Sequence, residues 1–324
     1  MDFRVLSDSS CDISLEQEKT YGIQLISYYV SFDGINYEKD RREVTAEDFY
    51  RKMTENPGVY PKTSMPTQVD FYEAFQPYAE KGEKIIYLNL TSKFSSSFQS
   101  ANLAAEALME EYPDCKIAVI DSFSATVQEG LLVTEAARMA EAGLSFEEAV
   151  EKLEELKMTS RIFFTTGDLS YLQKGGRIGK VLTQAASVLK IKPIIHLYEG
   201  ELQAAGIVRA RKKSIRKFMD DAKAFFADKN INDYPLVDNL ILEEACITRI
   251  LDLYLRHHLA DDNLKVLIVN LHTLHTVHLL NLVHDVLLNL RRSKDAKNVA
   301  RRDSTIRQRH TCTHVVVLLN DNLT

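Results

Sequence analysis

The sequence predicts an α/β fold with a largely parallel β-sheet covered by helices on both faces. Two observations support this prediction. Short apolar runs of strand length alternate with longer segments of helical periodicity. Loops rich in Ser, Thr and Asp follow at least three of these runs, at residues 7–9, 92–97 and 121–122. The chain has 324 residues, which is enough to bury the core of one large domain or of two ordinary domains.

Each element is predicted from a local pattern. Strands are predicted from apolar runs at residues 3–6, 23–32, 85–90, 116–120 and 162–166. Helices are predicted from apolar periodicity at residues 15–21, 45–53, 69–80, 98–108, 125–142 and 146–156. Thr45 and Thr67 are predicted N-caps, and Asp33-Gly34 is a hairpin signal. Three prolines predict a stiff loop over residues 56–67.

Composition excludes several classes of protein. A net charge of −6 argues against a nucleic-acid-binding or membrane-surface protein. The four cysteines contain no CxxC pair, which predicts reduced thiols in a cytoplasmic protein. The chain begins with a strand rather than a basic leader, and no uncharged apolar run approaches membrane-spanning length. We therefore expect a cytoplasmic protein without stable membrane insertion.

Residues 91–101, with the sequence Thr-Ser-Lys-Phe-Ser-Ser-Ser-Phe-Gln-Ser-Ala, lie between a predicted strand and a predicted helix. Ser95 or Ser96 can simply cap this helix. Capping needs one hydroxyl, however, and the segment offers several, including Thr91. At the carboxyl edge of a parallel sheet, hydroxyls and helix N–H groups can bind an anion. We therefore favour an anion-binding site here.

A glycine-rich segment follows the strand at residues 162–166. It contains Gly175-Gly176-Arg177-Ile178-Gly179, which predicts a tight turn. The segment lacks both GxxxxGK[ST] and GxGxxG, so it does not match a nucleotide-phosphate loop.

Taken together, several motifs resemble those of one family, the DegV fatty-acid-binding proteins, which present fatty acids to a separate kinase. The motifs are Ser-Asp-Ser-Ser at residues 7–10, Lys-Thr-Ser-Met-Pro-Thr at 62–67, Ser-Lys-Phe-Ser-Ser-Ser-Phe-Gln-Ser-Ala at 92–101, Asp-Ser at 121–122, Tyr-Leu-Gln-Lys-Gly-Gly-Arg-Ile at 171–178 and Lys-Ile-Lys-Pro-Ile at 190–194. They are collinear over roughly the first 210 residues, and they are specific as a set.

The resemblance implies two α/β domains, at residues 1–160 and 161–324, the second with a mixed sheet. One long-chain fatty acid would lie between or beneath them, as the ligand of a protein without a cofactor. The family's carboxylate-binding threonine and serine fall on Thr63 and Ser95, and Ser96 stands where the family usually has glycine.

The resemblance also implies a partner, a fatty acid kinase. Arg177 and the basic run at residues 209–213, which includes Arg209 and Arg211, resemble the surface that family members offer to this kinase. The alternative is that the basic run forms the solvated face of a helix.

The chain departs from the family pattern after about residue 211, where it contains no glycine. The family's terminal His-Thr-Gly-Pro-Gly element is matched only by His310 and Thr311. Either the second domain is rebuilt here, or the printed sequence of this segment differs from the natural one. Helices at residues 243–256 and 272–290 and strands at 264–270 and 314–319 are still predicted.

Eight of the nine histidines fall within residues 257–314. His272 and His275 share a helix face, but His278 turns away from them, and HExxH is missing. Surface or packed histidines are therefore favoured over a metal site.

We compare three possible functions for these residues. For a carrier, burial of about fifteen methylenes is worth roughly 12 kcal/mol before association costs. Thr63, Ser95 and His310 would supply donors to the carboxylate. A serine-dependent lipid hydrolase or acyltransferase would need a base beside Ser95 and a GxSxG elbow, which the sequence lacks. A nucleotide-binding protein is disfavoured by the missing glycine motif.

Overall fold

A computed structural model of the chain describes residues 1–165, 169–178, 192–209, 211–225, 227, 236–240 and 314–318. Its strands are β1 (Phe3–Asp8), β2 (Gln24–Ile26), β3 (Tyr29–Ser31), β4 (Glu38–Lys39), β5 (Lys62–Ser64), β6 (Lys84–Asn89), β7 (Ile117–Asp121), β8 (Arg161–Thr165), β9 (Lys192–Tyr198), β10 (Glu201–Val208), β11 (Leu236–Leu240) and β12 (His314–Leu318). Its helices are α1 (Leu15–Thr20), α2 (Ala46–Glu55), α3 (Gln68–Ala79), α4 (Ser97–Glu111), α5 (Thr126–Glu141), α6 (Phe146–Leu156), α7 (Ser170–Gly175) and α8 (Arg211–Phe225). The elements predicted at residues 243–256, 264–270 and 272–290, as well as His310, lie outside the described residues.

The first sheet is parallel, as predicted. Its four strands follow the order β2-β1-β6-β7, and each pair is parallel. Side chains of β6 alternate between its two faces. Ile86 and Leu88 pack into the core that contains α5 and α6, whereas Ile85 and Tyr87 pack into the core that contains α3 and α4. Helices therefore cover both faces of this sheet.

The second sheet is antiparallel in every described pair. Its strand order is β10-β9-β8-β12-β11. A mixed sheet was expected here, and the pairs that the structure describes are all antiparallel. The reason is clearest at β9 and β10, which are joined by Glu199 and Gly200 with φ of 49° and 79°. Two residues with positive φ form a tight hairpin, which returns the chain antiparallel.

The apolar run at residues 23–32 was predicted as one element, but the structure divides it between two sheets. Strand β2 joins the parallel sheet, whereas β3 pairs with β4 and β5 in a small antiparallel sheet. The division falls at Ser27 and Tyr28. The Tyr28 N–H donates to Ser9 Oγ at 3.0 Å, and Ser27 Oγ donates to the Asp40 carbonyl at 2.8 Å. At Ser27 and Tyr28, these contacts take the place of the backbone hydrogen bonds that a continuous strand would form. Strand β5 also forms inside the segment predicted as a loop.

The helix starts follow the predicted local signals. Thr45 and Thr67 are the N-caps of α2 and α3, and each side chain accepts a hydrogen bond from the third helical N–H. Helices α3 to α6 lie within a few residues of their predicted positions. Among the described helices, none is long and apolar enough to cross a membrane.

Helix α5 is buried along most of its length and lies against β1. Gly130 permits this position, because a Cβ atom there would lie 2.3 Å from the carbonyl oxygen of Cys11. The same apolar core continues into the second sheet through Ile162, Phe164 and Ile195. The helix thus links the packing of both sheets.

Candidate carboxylate-binding site

The loops after three parallel strands meet at the carboxyl edge of the first sheet. The Leu90 N–H donates to Asp8 Oδ2 at 3.0 Å, and the Ser92 N–H donates to Asp121 Oδ1 at 3.2 Å. These contacts hold the segment of residues 90–96, hereafter the serine loop, between its neighbours. The loop connects β6 to α4, so the N-terminus of a helix faces the same edge.

Helix α4 begins without the usual side-chain cap. Ser96 occupies the N-cap position, but its side chain makes no capping hydrogen bond. Ser95 Oγ instead accepts from the Ser97 N–H at 3.2 Å. Ser95 is half-buried and Ser96 is exposed. Because a helix N-terminus carries partial positive charge and N–H donors, this arrangement suits an anionic ligand.

Two hydroxyls of residues 91–101 form hydrogen bonds within the protein and are not available to a ligand. Thr91 is buried, and its Oγ1 donates to the Gly200 carbonyl at 3.2 Å. Ser97 is buried and lies 2.7 Å from the Tyr28 hydroxyl. We expected several spare hydroxyls, including that of Thr91, and this was wrong for Thr91. Its distant partner, on the turn between β9 and β10, could not be predicted from local sequence.

Tyr28 connects the start of α4 to the interior. Its hydroxyl lies 2.7 Å from Ser97 Oγ, at the start of α4. Burial raises the pKa of Tyr28, and hydrogen bonds to serine side chains only partly offset this rise. The phenol therefore stays protonated at neutral pH. Asn89 Nδ2 donates to Ser97 Oγ at 3.2 Å and extends the network inward.

Beneath the loop lies a pair of buried carboxyl groups. Ser10 Oγ is 2.5 Å from Asp8 Oδ1 and 2.8 Å from Glu129 Oε2. A hydroxyl has one hydrogen, so two ionised carboxylates cannot both accept from it. Burial raises the pKa of both acids, and the neighbouring Asp8 charge raises that of Glu129 further. This geometry fits a pair in which one of the two carboxyl groups, Asp8 or Glu129, is protonated.

Thr63 lies on β5, where its backbone pairs with Val30 of β3, and its side chain is exposed. Tyr28 precedes β3 by one residue and contacts Ser97 at the start of α4. Among the described contacts, none joins Thr63 to Ser95.

The predicted docking arginines lie on the second part of the chain. Arg177 is exposed, and it donates from Nε to the Phe94 carbonyl at 3.1 Å and from a terminal nitrogen to the Gly175 carbonyl at 2.6 Å. Arg209 follows β10 and is exposed, whereas Arg211 begins α8. Arg177 thus bridges the serine loop and the glycine turn.

One surface cleft contains none of the predicted site residues. This cleft of about 290 Å³ lies beside β2 and α3, and its polar lining includes Lys39, Arg42, Asp70 and Glu73. Within the described ranges, no group of three or more metal-binding side chains occurs. The histidines at residues 272–284, which we considered as metal ligands, lie outside these ranges.

Sequence reasoning missed Tyr28 and Glu129. Tyr28 sits inside an apolar run and was interpreted only as part of a strand. Glu129 is one of three glutamates in α5, so the sequence did not single it out as a buried acid. Its partner Ser10 is 119 positions away in sequence, so the contact itself was not predictable.

The described residues define an α/β protein with one parallel and two antiparallel sheets. A sequence model described as "Uncharacterised protein, DegV family COG1307" matches residues 2–272. The chain therefore belongs to the DegV family.

Individual relatives agree with this assignment. A DegV domain-containing protein of Clostridium perfringens (strain 13 / Type A) is 32% identical over 245 residues, which cover 75% of this chain and 84% of the relative. A stearic acid-binding protein from Eubacterium ventriosum ATCC 27560 has a TM-score of 0.76 at 29% identity, with 98% of each chain covered. A DegV family protein from Eubacterium eligens, loaded with heptadecanoic acid, has a TM-score of 0.65 at 25% identity, with 82% of this chain and 91% of that chain covered.

Proposed function

We propose that this chain is a cytoplasmic carrier, without catalytic activity of its own, that buries one long-chain fatty acid and presents the carboxylate to a partner fatty acid kinase. The observation that carries the proposal is the start of α4. Its N-terminus lacks a side-chain cap and carries a half-buried Ser95 at the sheet edge. The fatty acids bound by the Eubacterium relatives support a carboxylate as the anion.

The head group would be bound by Ser95 and Ser96, by Thr63 on the adjacent small sheet, and by His310. The hydroxyls and the first N–H groups of α4 donate hydrogen bonds to an anion. Hydrogen bonds to a charged acceptor are about twice as strong as neutral ones. This arrangement would fix the carboxylate and leave the acyl chain to the protein interior.

The acyl chain would lie between the proposed domains of residues 1–160 and 161–324. Support comes from partly buried apolar side chains on both sides. Leu90 and Phe94 of the serine loop and Leu169 and Leu172 near α7 all pack against the larger core. Burial of each methylene contributes about 0.8 kcal/mol, so the chain provides most of the affinity and the hydroxyls provide its orientation.

The kinase would dock on Arg177, Arg209 and Arg211. Two observations support this surface: the side chains of Arg177 and Arg209 are exposed, and Arg177 touches the serine loop through Phe94. An arginine at this position can bind a phosphate or carboxylate of the partner next to the presented head group.

A serine hydrolase or acyltransferase would require a general base beside Ser95. The hydrogen bond described for the Ser95 side chain comes from the Ser97 N–H, and the phenol of Tyr28 contacts the neighbouring Ser97. Because burial raises the pKa of Tyr28, its phenol cannot accept a proton at neutral pH. These contacts favour a binding role for Ser95 over a nucleophilic one.

The direct test of the head-group site compares Ser95→Ala with Ser92→Ala, since Ser92 is exposed in the same loop. Loss of a hydrogen bond to a carboxylate costs about 1–3 kcal/mol, so Ser95→Ala should weaken stearate binding about tenfold or more. Ser92→Ala should bind like the wild type. Equal affinities for all three proteins, measured by equilibrium titration, would remove Ser95 from the site.

A further inference from the structure

The serine loop, which carries Ser95, is in direct contact with the hairpin between β9 and β10. Thr91 is fully buried shortly after β6 ends, and its Oγ1 donates to the Gly200 carbonyl at 3.2 Å. Gly200 lies in the turn of that hairpin, between two strands of the second sheet. One segment of the proposed head-group site is therefore held by the second sheet.

The fit between the hairpin and the loop is close enough to require glycine. Gly200 has a φ of 79°, which residues with a Cβ atom rarely adopt. A Cβ atom on Gly200 would also lie 2.3 Å from Thr91 Oγ1 and 3.3 Å from Lys93 Cγ. Because the hairpin backbone packs directly against the loop, a displacement of the hairpin would also displace Thr91 and Lys93.

Thr91 also forms the turn that leads to Ser95. Its carbonyl accepts from the Phe94 N–H at 3.0 Å, which closes a β-turn. Its Oγ1 accepts from the Lys93 N–H at 3.3 Å within the same turn. Its own N–H donates to the Ser124 carbonyl at 2.9 Å. Every polar group of Thr91 thus has a partner, and the turn that it forms ends directly before Ser95.

We infer that Thr91 is a positioning residue, which holds Ser95 in place for the fatty-acid head group by fixing the serine loop to the β9–β10 hairpin. The inference rests on the proposed function, because it assumes that Ser95 binds that head group. A binding side chain stays within about 0.5 Å of its productive position only when the supporting residues are themselves locked by packing and hydrogen bonds. Thr91 is buried and hydrogen-bonded to both the loop and the hairpin, so it meets this condition.

Substitutions on either side of the contact test this inference. Thr91→Val removes the hydroxyl and keeps a side chain of similar shape, whereas Thr91→Ser retains the hydroxyl. Gly200→Ala places a methyl group against Thr91 Oγ1. It serves as a second variant in case Thr91→Val fails to fold.

The chain offers a matched control for each of these variants. Thr134 is also buried, and it donates to the Gly130 carbonyl at 2.8 Å within α5, so Thr134→Val removes an equivalent hydroxyl outside the serine loop. Gly143 has a φ of 81°, and a Cβ atom there would meet nothing within 4 Å. Gly143→Ala therefore introduces the same backbone strain as Gly200→Ala without the contact.

The experiment measures stearate affinity by equilibrium titration and, in parallel, the free energy of unfolding in urea. We expect Thr91→Val and Gly200→Ala to weaken stearate binding about fivefold or more, as for the loss of one hydrogen bond. Thr91→Ser should bind like the wild type. Both control variants should also bind like the wild type, even where they lower the free energy of unfolding.

The double variant separates a positioning role from a purely structural one. In the Ser95→Ala background, Thr91→Val should cause no further loss of stearate affinity, because the hydroxyl that it positions has been removed. Unchanged affinity in a folded Thr91→Val protein, or an equal loss in the Ser95→Ala background, would overturn the inference. An equal loss in Thr134→Val, or failure of both Thr91→Val and Gly200→Ala to fold, would show that Thr91 serves stability alone. A wild-type protein that binds no stearate would instead defeat the proposed function itself.

Discussion

Two groups of polar residues at the same sheet edge differ in what they do. In the inner group (Asp8, Ser10, Tyr87, Asn89 and Glu129) every residue except half-buried Ser10 is buried, and its members are hydrogen-bonded to one another or to the chain nearby. The outer group (Thr63, Ser95 and Ser96) is exposed or half-buried. Residue type does not separate them, since both contain serines. Their partners do, because the inner residues form hydrogen bonds around the buried acids Asp8 and Glu129. We therefore expect substitutions in the inner group to affect folding and substitutions in the outer group to affect binding.

The largest expected effect on stability is that of a substitution at Gly130. This glycine lets α5 pack closely, and α5 carries Glu129 of the inner group. In an exposed helix, Gly→Ala gains about 1 kcal/mol. At Gly130 the new Cβ would lie 2.3 Å from a backbone oxygen, which cannot move as a flexible side chain can. Gly130→Ala should therefore lower the free energy of unfolding by about 3 kcal/mol or more.

The control is Gly175→Ala, also at a helical glycine, where a Cβ would meet nothing within 4 Å. It should change the free energy of unfolding by no more than about 1 kcal/mol. Denaturant unfolding of both variants gives the comparison. A Gly130→Ala protein as stable as the wild type would contradict the close packing of α5.

The second prediction concerns the pH dependence of the inner pair. The pKa of Glu129 is raised in the folded state, mainly by burial. As the pH rises above the ordinary value, the unfolded chain loses this proton first, so the folded state binds more protons and wild-type stability falls. Gln at this position imitates the protonated acid and cannot ionise. Glu129→Gln should therefore gain stability relative to the wild type as the pH rises from about 5 to 8, with a slope of at most about 1.4 kcal/mol per pH unit.

Glu147→Gln is the control for this trend, because hydrogen bonding to Lys116 lowers the pKa of Glu147. Its stabilising contribution is present at neutral pH and is lost as the pH falls, so the sign is opposite. Urea unfolding of the three proteins at several pH values decides the matter. Parallel pH profiles for the wild type and Glu129→Gln would contradict a raised pKa for Glu129.

The smallest expected effect on stability is that of Arg177→Ala. Its two hydrogen bonds to carbonyl groups are exposed, so their loss should cost about 1 kcal/mol or less. If Arg177 serves kinase docking, bound fatty acid should stay while phosphorylation of the presented fatty acid falls. Arg51→Ala, which removes another exposed arginine on α2, should leave phosphorylation unchanged. An Arg177→Ala protein that melts early and loses its fatty acid would show that Arg177 mainly braces the glycine turn.

Local signals predicted much of this molecule. The caps Thr45 and Thr67 depend on residues three positions away, and they were predicted correctly. Contacts between distant segments were not predictable in the same way. Thr91 was expected to be free for a ligand, but its partner Gly200 lies 109 positions away. The loop sequence was enough to propose Ser95 as a site residue. The contact between Tyr28 and Ser97 could not be predicted, because it depends on how one apolar run divides between two sheets.

The central claim is that the outer group serves a bound fatty acid. Native mass spectrometry of the purified protein, followed by denaturing extraction, tests this claim most directly. We predict one added mass per chain that corresponds to a long-chain fatty acid, and recovery of that fatty acid in the extract. A protein that repeatedly contains no fatty acid, and that takes up none when stearate is added, would contradict the account.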